Sequence, residues 1–231
     1  MIEVQNANGV SFKLVNGKIY GVLGAEGSGK TTLLNLLTGC KSSAEGTVKI
    51  NGFDMQKEPQ KAKQCIGYLP ATPPVYDKLT LWEYLSFVAE AKGISYERAA
   101  KQTEDVLELT GISALQNRVI EKLSRSQQVR VGLAQALLGN PEIVVLDEPT
   151  EGLPPNQAAE LRALLCRLGK IKTVIVSSKK LAEMTEICDR VLVFSHGTLI
   201  ANASVEELRS GLVRLSESGD YELTQNKEDS N

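Results

Sequence analysis

The chain has one histidine, one tryptophan and four cysteines among 231 residues, and this scarcity excludes several classes of protein. Cys40, Cys65, Cys166 and Cys188 are far apart and form no C-x-x-C pair, which gives no support to a structural zinc site or a disulfide framework. No apolar run approaches the roughly 20 residues that a helix needs to cross a bilayer. Because the net charge is only −2, we expect no nucleic acid as a main partner.

A glycine-rich segment follows the apolar run 19–23 and fits the phosphate-loop pattern G-x-x-x-x-G-K-[ST]. Its residues are Gly24, Ala25, Glu26, Gly27, Ser28, Gly29, Lys30, Thr31 and Thr32. Glycines let the backbone curl until its N–H groups point inward, and the helix that follows adds the positive end of its dipole. We expect Lys30 to reach the β- and γ-phosphates of a nucleoside triphosphate and Thr31 to ligate Mg²⁺. The alternative is a relic loop that no longer binds well.

The distribution of apolar residues predicts an α/β fold with a P-loop NTPase core. Continuous apolar runs flanked by helices are typical of strands in a sheet that is covered on both faces. The predicted strands are Lys18–Leu23, Thr47–Ile50, Ile66–Leu69, Ile143–Leu146, Thr173–Ser177 and Val191–Phe194. Between about residues 79 and 139 the pattern is helical only, which predicts an inserted helical subdomain. Its helices are expected around Leu81, Leu85 and Val88, over Tyr96–Thr110 and over Gln127–Leu138.

The apolar strand 143–146 ends in two acids, as in the Walker B pattern. Asp147 is expected beside the phosphate loop, where it would hold Mg²⁺ through the hydration shell of the ion. Glu148 is expected to orient and deprotonate the attacking water. The alternative is an ordinary strand that ends in a solvated acidic turn, which is less favoured because a phosphate loop precedes it in the same chain.

The segment Leu123–Gln127, which reads LSRSQ, resembles the signature motif of ATP-binding cassette (ABC) proteins, usually written LSGGQ. The motifs also follow one another in the order typical of that family. The phosphate loop comes first, then the helical insertion, then LS-x-x-Q, and then a strand followed by Asp-Glu-Pro-Thr. The resemblance covers about residues 11–203 and is strongest to ATPase subunits of multi-subunit export systems. It implies that two cassettes close head to tail around two ATP molecules with Mg²⁺. Ser124, Ser126 and Gln127 would then face the nucleotide of the second cassette.

The resemblance further implies a transmembrane permease subunit that docks on the helical insertion. The chain would then be cytoplasmic and peripheral on the inner face of the cell membrane. The second cassette could be a copy of this chain or a companion protein. The expected domain spans residues 1–215, with an amphipathic segment over Val205–Leu215. A polar, disordered tail is expected over 216–231.

Several accessory positions depart from the family pattern. Ala71 stands at the Q-loop glutamine position, Arg125 and Ser126 at the two signature glycines, Pro154 at the D-loop aspartate and Lys179 at the switch histidine. The segment where the adenine-stacking aromatic is expected is shortened, and Phe12 better matches a core position. Lys179 can still bring a cation near the γ-phosphate, although it does not exchange protons near neutral pH as histidine does.

Two hypotheses from different classes remain after these departures. The first is an ATPase subunit of an ABC transporter with slow hydrolysis, in which Lys30 and Glu148 carry the chemistry. The second is a regulatory module that binds ATP without useful turnover and pairs with an intact cassette. ABC proteins of DNA or the ribosome are disfavoured because no long coiled coil or second cassette is present in the sequence. A P-loop kinase leaves the LS-x-x-Q segment unexplained.

Overall fold

The computed structural model describes residues 1–216 and 219–224, and its centre is a six-stranded sheet. In spatial order the strands are β10 (Thr198–Ser204), β9 (Arg190–Ser195), β3 (Ile19–Leu23), β8 (Thr173–Ser178), β7 (Ile143–Leu146) and β6 (Ile66–Leu69). The strands β9, β3, β8, β7 and β6 are parallel, whereas β10 returns antiparallel at the edge. Every residue of β3, β7 and β8 is buried, which accounts for their continuous apolar character. The α/β fold is confirmed.

A second, antiparallel sheet shares a hydrophobic core with one face of the first. Its strands, in spatial order, are β2 (Val10–Leu14), β1 (Ile2–Ala7), β4 (Thr47–Ile50) and β5 (Phe53–Asp54). Burial alternates along β2, so one face packs on the core and the other meets solvent. Phe12 lies on the buried face with 9% of its surface exposed, which confirms its prediction as a core residue.

Helices cover both faces of the six-stranded sheet. They are α1 (Lys30–Leu37), α2 (Pro59–Gln64), α3 (Leu81–Ala91), α4 (Tyr96–Thr110), α5 (Arg125–Leu137), α6 (Pro155–Gly169), α7 (Leu181–Ile187) and α8 (Val205–Arg209). The helices α3, α4 and α5 lie within the expected insertion and pack on one another. The predicted bounds of α4 agree with the structure, and α5 begins two residues before its predicted start. Among the described residues, no helix has the length and apolar character that a membrane span requires.

The carboxyl-terminal segment differs from its prediction. The amphipathic segment Val205–Leu215 is helical only as far as Arg209, because Gly211 adopts a φ of 91° and turns the chain. Strand β11 (Val213–Leu215) then pairs antiparallel with β12 (Tyr221–Leu223), so a strand lies within the expected disordered tail. Residues 217, 218 and 225–231 of that tail lie outside the described residues.

Strand β6 approaches the helical insertion closely at Gly67. A Cβ atom there would lie 2.1 Å from the carbonyl oxygen of Ala136 in α5. We therefore expect Gly67→Ala to lower the free energy of unfolding by about 2–3 kcal/mol, because backbone must move to admit the methyl group. Chemical denaturation measures the change.

Gly93→Ala is the matched control for this substitution. Gly93 has a φ of 70° and open space around its ideal Cβ position, so only backbone strain of about 1 kcal/mol is expected. Equal destabilisation by the two alanines would contradict the steric account of Gly67.

Candidate nucleotide-binding site

Four neighbouring strands end at one edge of the central sheet. Since β3, β8, β7 and β6 are parallel and adjacent, the segments that follow them meet at their carboxyl ends. These segments are, in the same order, the phosphate loop, the loop that begins at Lys179, the pair Asp147 and Glu148, and the turn that contains Ala71. The sheet order therefore brings together motifs that are far apart in the sequence.

The phosphate loop is built around two close backbone approaches. A Cβ at Gly24 would lie 2.2 Å from Ser28 Oγ, and Gly29 has a φ of 100° and passes close to Gly197. Gly197 N donates a hydrogen bond to Ser28 O at 3.0 Å, which ties the loop to the turn between β9 and β10. Ser28 Oγ is buried, and no hydrogen-bond partner for it lies among the described residues. Such an unpaired buried hydroxyl fits a site that receives oxygen atoms from a ligand.

Lys30, the first residue of α1, has only 4% of its side chain exposed and points back across the loop. Its ammonium donates to Gly24 O at 2.9 Å and to Ala25 O at 2.7 Å. It also forms an ion pair with Glu148 Oε1 at 3.1 Å. The charge of Lys30 therefore lies between the phosphate loop and the acid that follows β7.

Asp147 joins three segments of this edge. Its Oδ2 accepts a hydrogen bond from Thr31 Oγ1 at 2.9 Å, and its Oδ1 accepts one from Ser177 Oγ at 2.6 Å. A carboxylate beside a threonine hydroxyl is a pair of oxygen donors of the kind that Mg²⁺ prefers. These residues therefore fit the predicted metal, which would complete its coordination with phosphate oxygens and water. Sequence reasoning missed Ser177, which it used only as a marker of the strand.

Glu148 lies in the left-handed region of backbone space with a φ of 45°. A residue with a side chain is strained there by about 1–3 kcal/mol. A hydrogen bond from Glu148 N to Ser177 Oγ at 2.8 Å stabilises this strained conformation. Ser177 therefore orients both acids, one through its donor proton and one through its acceptor oxygen.

Lys179 follows β8 and pairs with Glu151 in the loop after Walker B. The two charged groups are 3.0 Å apart, and 37% of the Lys179 side chain is exposed. The hydrogen bond that the Lys179 ammonium donates to the Glu151 carboxylate raises the pKa of Lys179 above its ordinary value. Lys179 is therefore a cation at neutral pH, and Glu151 is its partner within the chain.

A buried acid on α7, which sequence reasoning did not select, holds the same region together. Glu183 Oε2 accepts hydrogen bonds from Thr150 Oγ1 at 2.8 Å and from Ser178 Oγ at 2.9 Å. Burial acts to raise the pKa of Glu183, but these hydrogen bonds and the Lys180 ammonium outweigh it, so the pKa lies below its ordinary value. Glu183 thus connects the segment after Glu148 to the end of β8.

The LS-x-x-Q residues lie apart from this cluster, at the start of α5. Ser124 is the N-cap, and Ser124 and Gln127 bond to each other's backbone N–H in a capping box. Ser126 is buried within the subunit, with 8% of its surface exposed. Arg125 donates to Ala71 O at 3.0 Å, so two positions that depart from the family pattern are in contact.

Two further features lie at the surface. Pro154 is the N-cap of α6, and Pro155 is its first residue, where a missing N–H costs nothing. His196, the single histidine of the sequence, lies in the turn between β9 and β10 and has 78% of its side chain exposed. Its ring faces Asp220 at 3.3 Å.

Comparison with known proteins identifies the family. A family profile described as "ABC transporter" matches residues 7–151, which is more than half of the chain. An uncharacterized ABC transporter ATP-binding protein of Nostoc sp. is 34% identical over 209 residues, which are 89% of this chain and 62% of that protein. The linearmycin resistance ATP-binding protein LnrL of Bacillus subtilis is 32% identical, over 88% of this chain and 66% of its own length. The chain therefore belongs to the ABC transporter family, as an ATP-binding domain.

Comparison with solved structures shows the fold. CbiO1 of Clostridium perfringens, described as part of the complex cbiONQ, has a TM-score of 0.81 at 24% identity and covers 91% of this chain. The ATP-binding cassette MJ0796, solved as a dimer with ADP and Pi, has a TM-score of 0.80 at 23% identity and covers 89% of this chain. The match extends over 90% of the first of these chains and 99% of the second. The ABC ATPase fold is thereby confirmed.

We expect Lys30→Ala to weaken ATP binding about tenfold to a hundredfold, since a charge-assisted contact contributes roughly 1.5–3 kcal/mol. Titration of the protein with a fluorescent ATP analogue measures the dissociation constant. Lys41→Ala removes an exposed lysine beyond the end of α1 and serves as the matched control. Unchanged affinity in Lys30→Ala would identify the loop as a relic.

Proposed function

We propose that this chain is the ATP-binding subunit of a multi-subunit ABC transporter. It binds Mg-ATP, closes on a second cassette and couples that closure to a separate membrane permease, with slow hydrolysis. The observation that carries this proposal is that two pairs of residues meet at one edge of the sheet. Lys30 Nζ lies 3.1 Å from Glu148 Oε1, and Thr31 Oγ1 lies 2.9 Å from Asp147 Oδ2. Phosphate binding, metal binding and a general base are all supplied there.

Each of these residues has a distinct role in the proposed reaction. Lys30 and the N–H groups of the phosphate loop bind the β- and γ-phosphates and orient the terminal one. Thr31 and Asp147 hold Mg²⁺, which neutralises charge on the phosphates when it is bound. Glu148 accepts a proton from the attacking water, and its strained backbone, fixed by Ser177, aims the carboxylate.

The start of α5 would complete the site of the partner cassette. The capping box formed by Ser124 and Gln127 defines the N-terminus of that helix, whose N–H groups and positive dipole end favour an anion. Ser126 lies in the first turn. In a head-to-tail dimer, two such helix ends oppose two triphosphates. The partner is a second copy of this chain or a companion cassette.

An exposed aromatic cluster on the helical insertion supports the permease contact. Tyr76 and Phe87 have 55% and 48% of their surfaces exposed, and their rings meet edge to face at 5.5 Å. Together with Leu79 they line an apolar recess beside α3. Aromatic side chains that line a recess at the surface favour a protein partner. Through that permease the subunit would lie on the cytoplasmic face of the membrane.

Slow hydrolysis is proposed because the accessory positions make contacts within the subunit. The Lys179 ammonium is engaged by Glu151, and the Ala71 carbonyl by Arg125. Ala71 has no side chain that contacts metal or water, and Pro154 has neither acid nor N–H. Each lost contact to the transition state removes part of the electrostatic stabilisation on which hydrolysis depends.

We expect Glu148→Gln to stabilise an ATP-dependent dimer, because it keeps the shape of the side chain and removes the base. Light scattering after size-exclusion chromatography, with ATP and any companion cassette present, measures the assembled mass. Glu90→Gln, at an exposed position on α3, is the control. A monomer under all of these conditions would contradict the closure mechanism.

We expect the triple variant Lys179→His, Ala71→Gln, Ser126→Gly to hydrolyse ATP at least about tenfold faster, which corresponds to ~1.4 kcal/mol off the barrier. The repairs restore groups that act in the transition state, so kcat should change more than KM. Steady-state phosphate release measures both constants. Addition of Lys30→Ala to the triple variant should abolish the gain.

This experiment also separates the two classes of function. Turnover of several per second by the natural chain with its permease, without a gain from the repairs, would contradict slow hydrolysis. Nucleotide binding without hydrolysis in both the natural chain and the triple variant would instead favour the regulatory module paired with an intact cassette.

A further inference from the structure

The carboxyl-terminal hairpin reaches the loop that carries Lys179. Tyr221, the first residue of β12, is 4% exposed and belongs to the same buried core as Met184 of α7 and Val191 of β9. Its hydroxyl donates a hydrogen bond to Lys179 O at 2.9 Å and accepts one from Leu181 N at 3.1 Å. A single phenol therefore holds main-chain groups on both sides of Lys180.

This contact replaces a local cap that α7 lacks. The residue before α7, Lys180, gives no side-chain cap to the backbone N–H groups of the first turn, and its ammonium pairs with the Glu183 carboxylate at 3.4 Å. The first N–H groups of a helix have no partner inside the helix, so Leu181 N depends on Tyr221, which lies 40 residues further along the chain. The backbone at Lys179 is thus held in part by Tyr221, which lies beyond residues 11–203, the part of the chain that resembles the family.

A second contact of the hairpin points to the same site. Asp220 Oδ2 lies 3.3 Å from His196 Nε2, and the neighbouring Gly197 N donates to Ser28 O in the phosphate loop. The residues 220 and 221 therefore face two loops that border the proposed triphosphate site.

We propose that Tyr221 is a positioning residue for Lys179, which it holds where the ammonium can meet the γ-phosphate. This inference rests on the proposed function together with the expectation from the sequence that Lys179 brings a cation near that phosphate. The ion pair with Glu151 restrains the side chain of Lys179, whereas Tyr221 restrains its backbone. A charged group displaced by about 1 Å loses much of its effect on a reacting or bound group.

The test compares ATP and ADP affinities, because only ATP has the γ-phosphate. We expect Tyr221→Phe to weaken ATP binding about fivefold and to leave ADP binding within twofold, since the ring stays and only the hydroxyl is lost. Tyr96→Phe, at a tyrosine that is 94% exposed on α4, should change neither affinity. In the background Lys179→Met, Tyr221→Phe should have no further effect on the ratio of the two affinities.

Several results would overturn this inference. The first is an unchanged ratio of ATP affinity to ADP affinity in Tyr221→Phe. The second is an equal loss of ATP and ADP binding in that variant. The third is a lower ratio in the double variant Tyr221→Phe, Lys179→Met than in Lys179→Met alone. Hydrogen exchange at the Leu181 amide adds a measurement that needs no nucleotide. The exchange rate should be higher in Tyr221→Phe than in Tyr96→Phe. Equal exchange rates would also overturn the inference. Absence of nucleotide binding by the natural chain would instead overturn the proposed function itself.

Discussion

The buried carboxylate of Asp147 is the interaction on which the rest of the site depends. It is 1% exposed and joins the end of β7 to β8 through Ser177 and to α1 through Thr31. A buried carboxylate is tolerated only when it is hydrogen-bonded, so the three segments must arrive together. Ser177 then fixes the backbone of Glu148, and the ion pair with Lys30 follows from that placement.

Parts of the fold that have strong local patterns could be predicted from the sequence. Strands buried on both faces read as continuous apolar runs, so Ile66–Leu69 and Ile143–Leu146 were predicted with their observed bounds. The helix Tyr96–Thr110 has a clear apolar stripe and was predicted equally well. The short edge strand β5 and the hairpin of β11 and β12 have few residues, and their pairing depends on distant partners. Gly211 was the available signal that α8 ends early.

In the candidate site, too, features with a local sequence pattern could be predicted and contacts between distant segments could not. Phosphate-loop and Walker B residues are recognisable because each follows a strand directly, and the sheet order brings them together. Contacts between segments could not be predicted, because nothing local in the sequence relates Glu183 to Thr150, Arg125 to Ala71 or Tyr221 to Lys179. Those contacts depend on the angle at which helices and the hairpin pack on the sheet, which residue spacing does not specify.

The two prolines that begin α6 restrict the segment between Walker B and that helix. Proline fixes φ in a free subunit as well as in an assembly, so residues 154 and 155 have little backbone freedom to lose. Immobilising an ordinary residue costs about 1–2 kcal/mol in conformational entropy. An interface that includes this segment would therefore form at a smaller entropic cost than one made from an unrestrained loop.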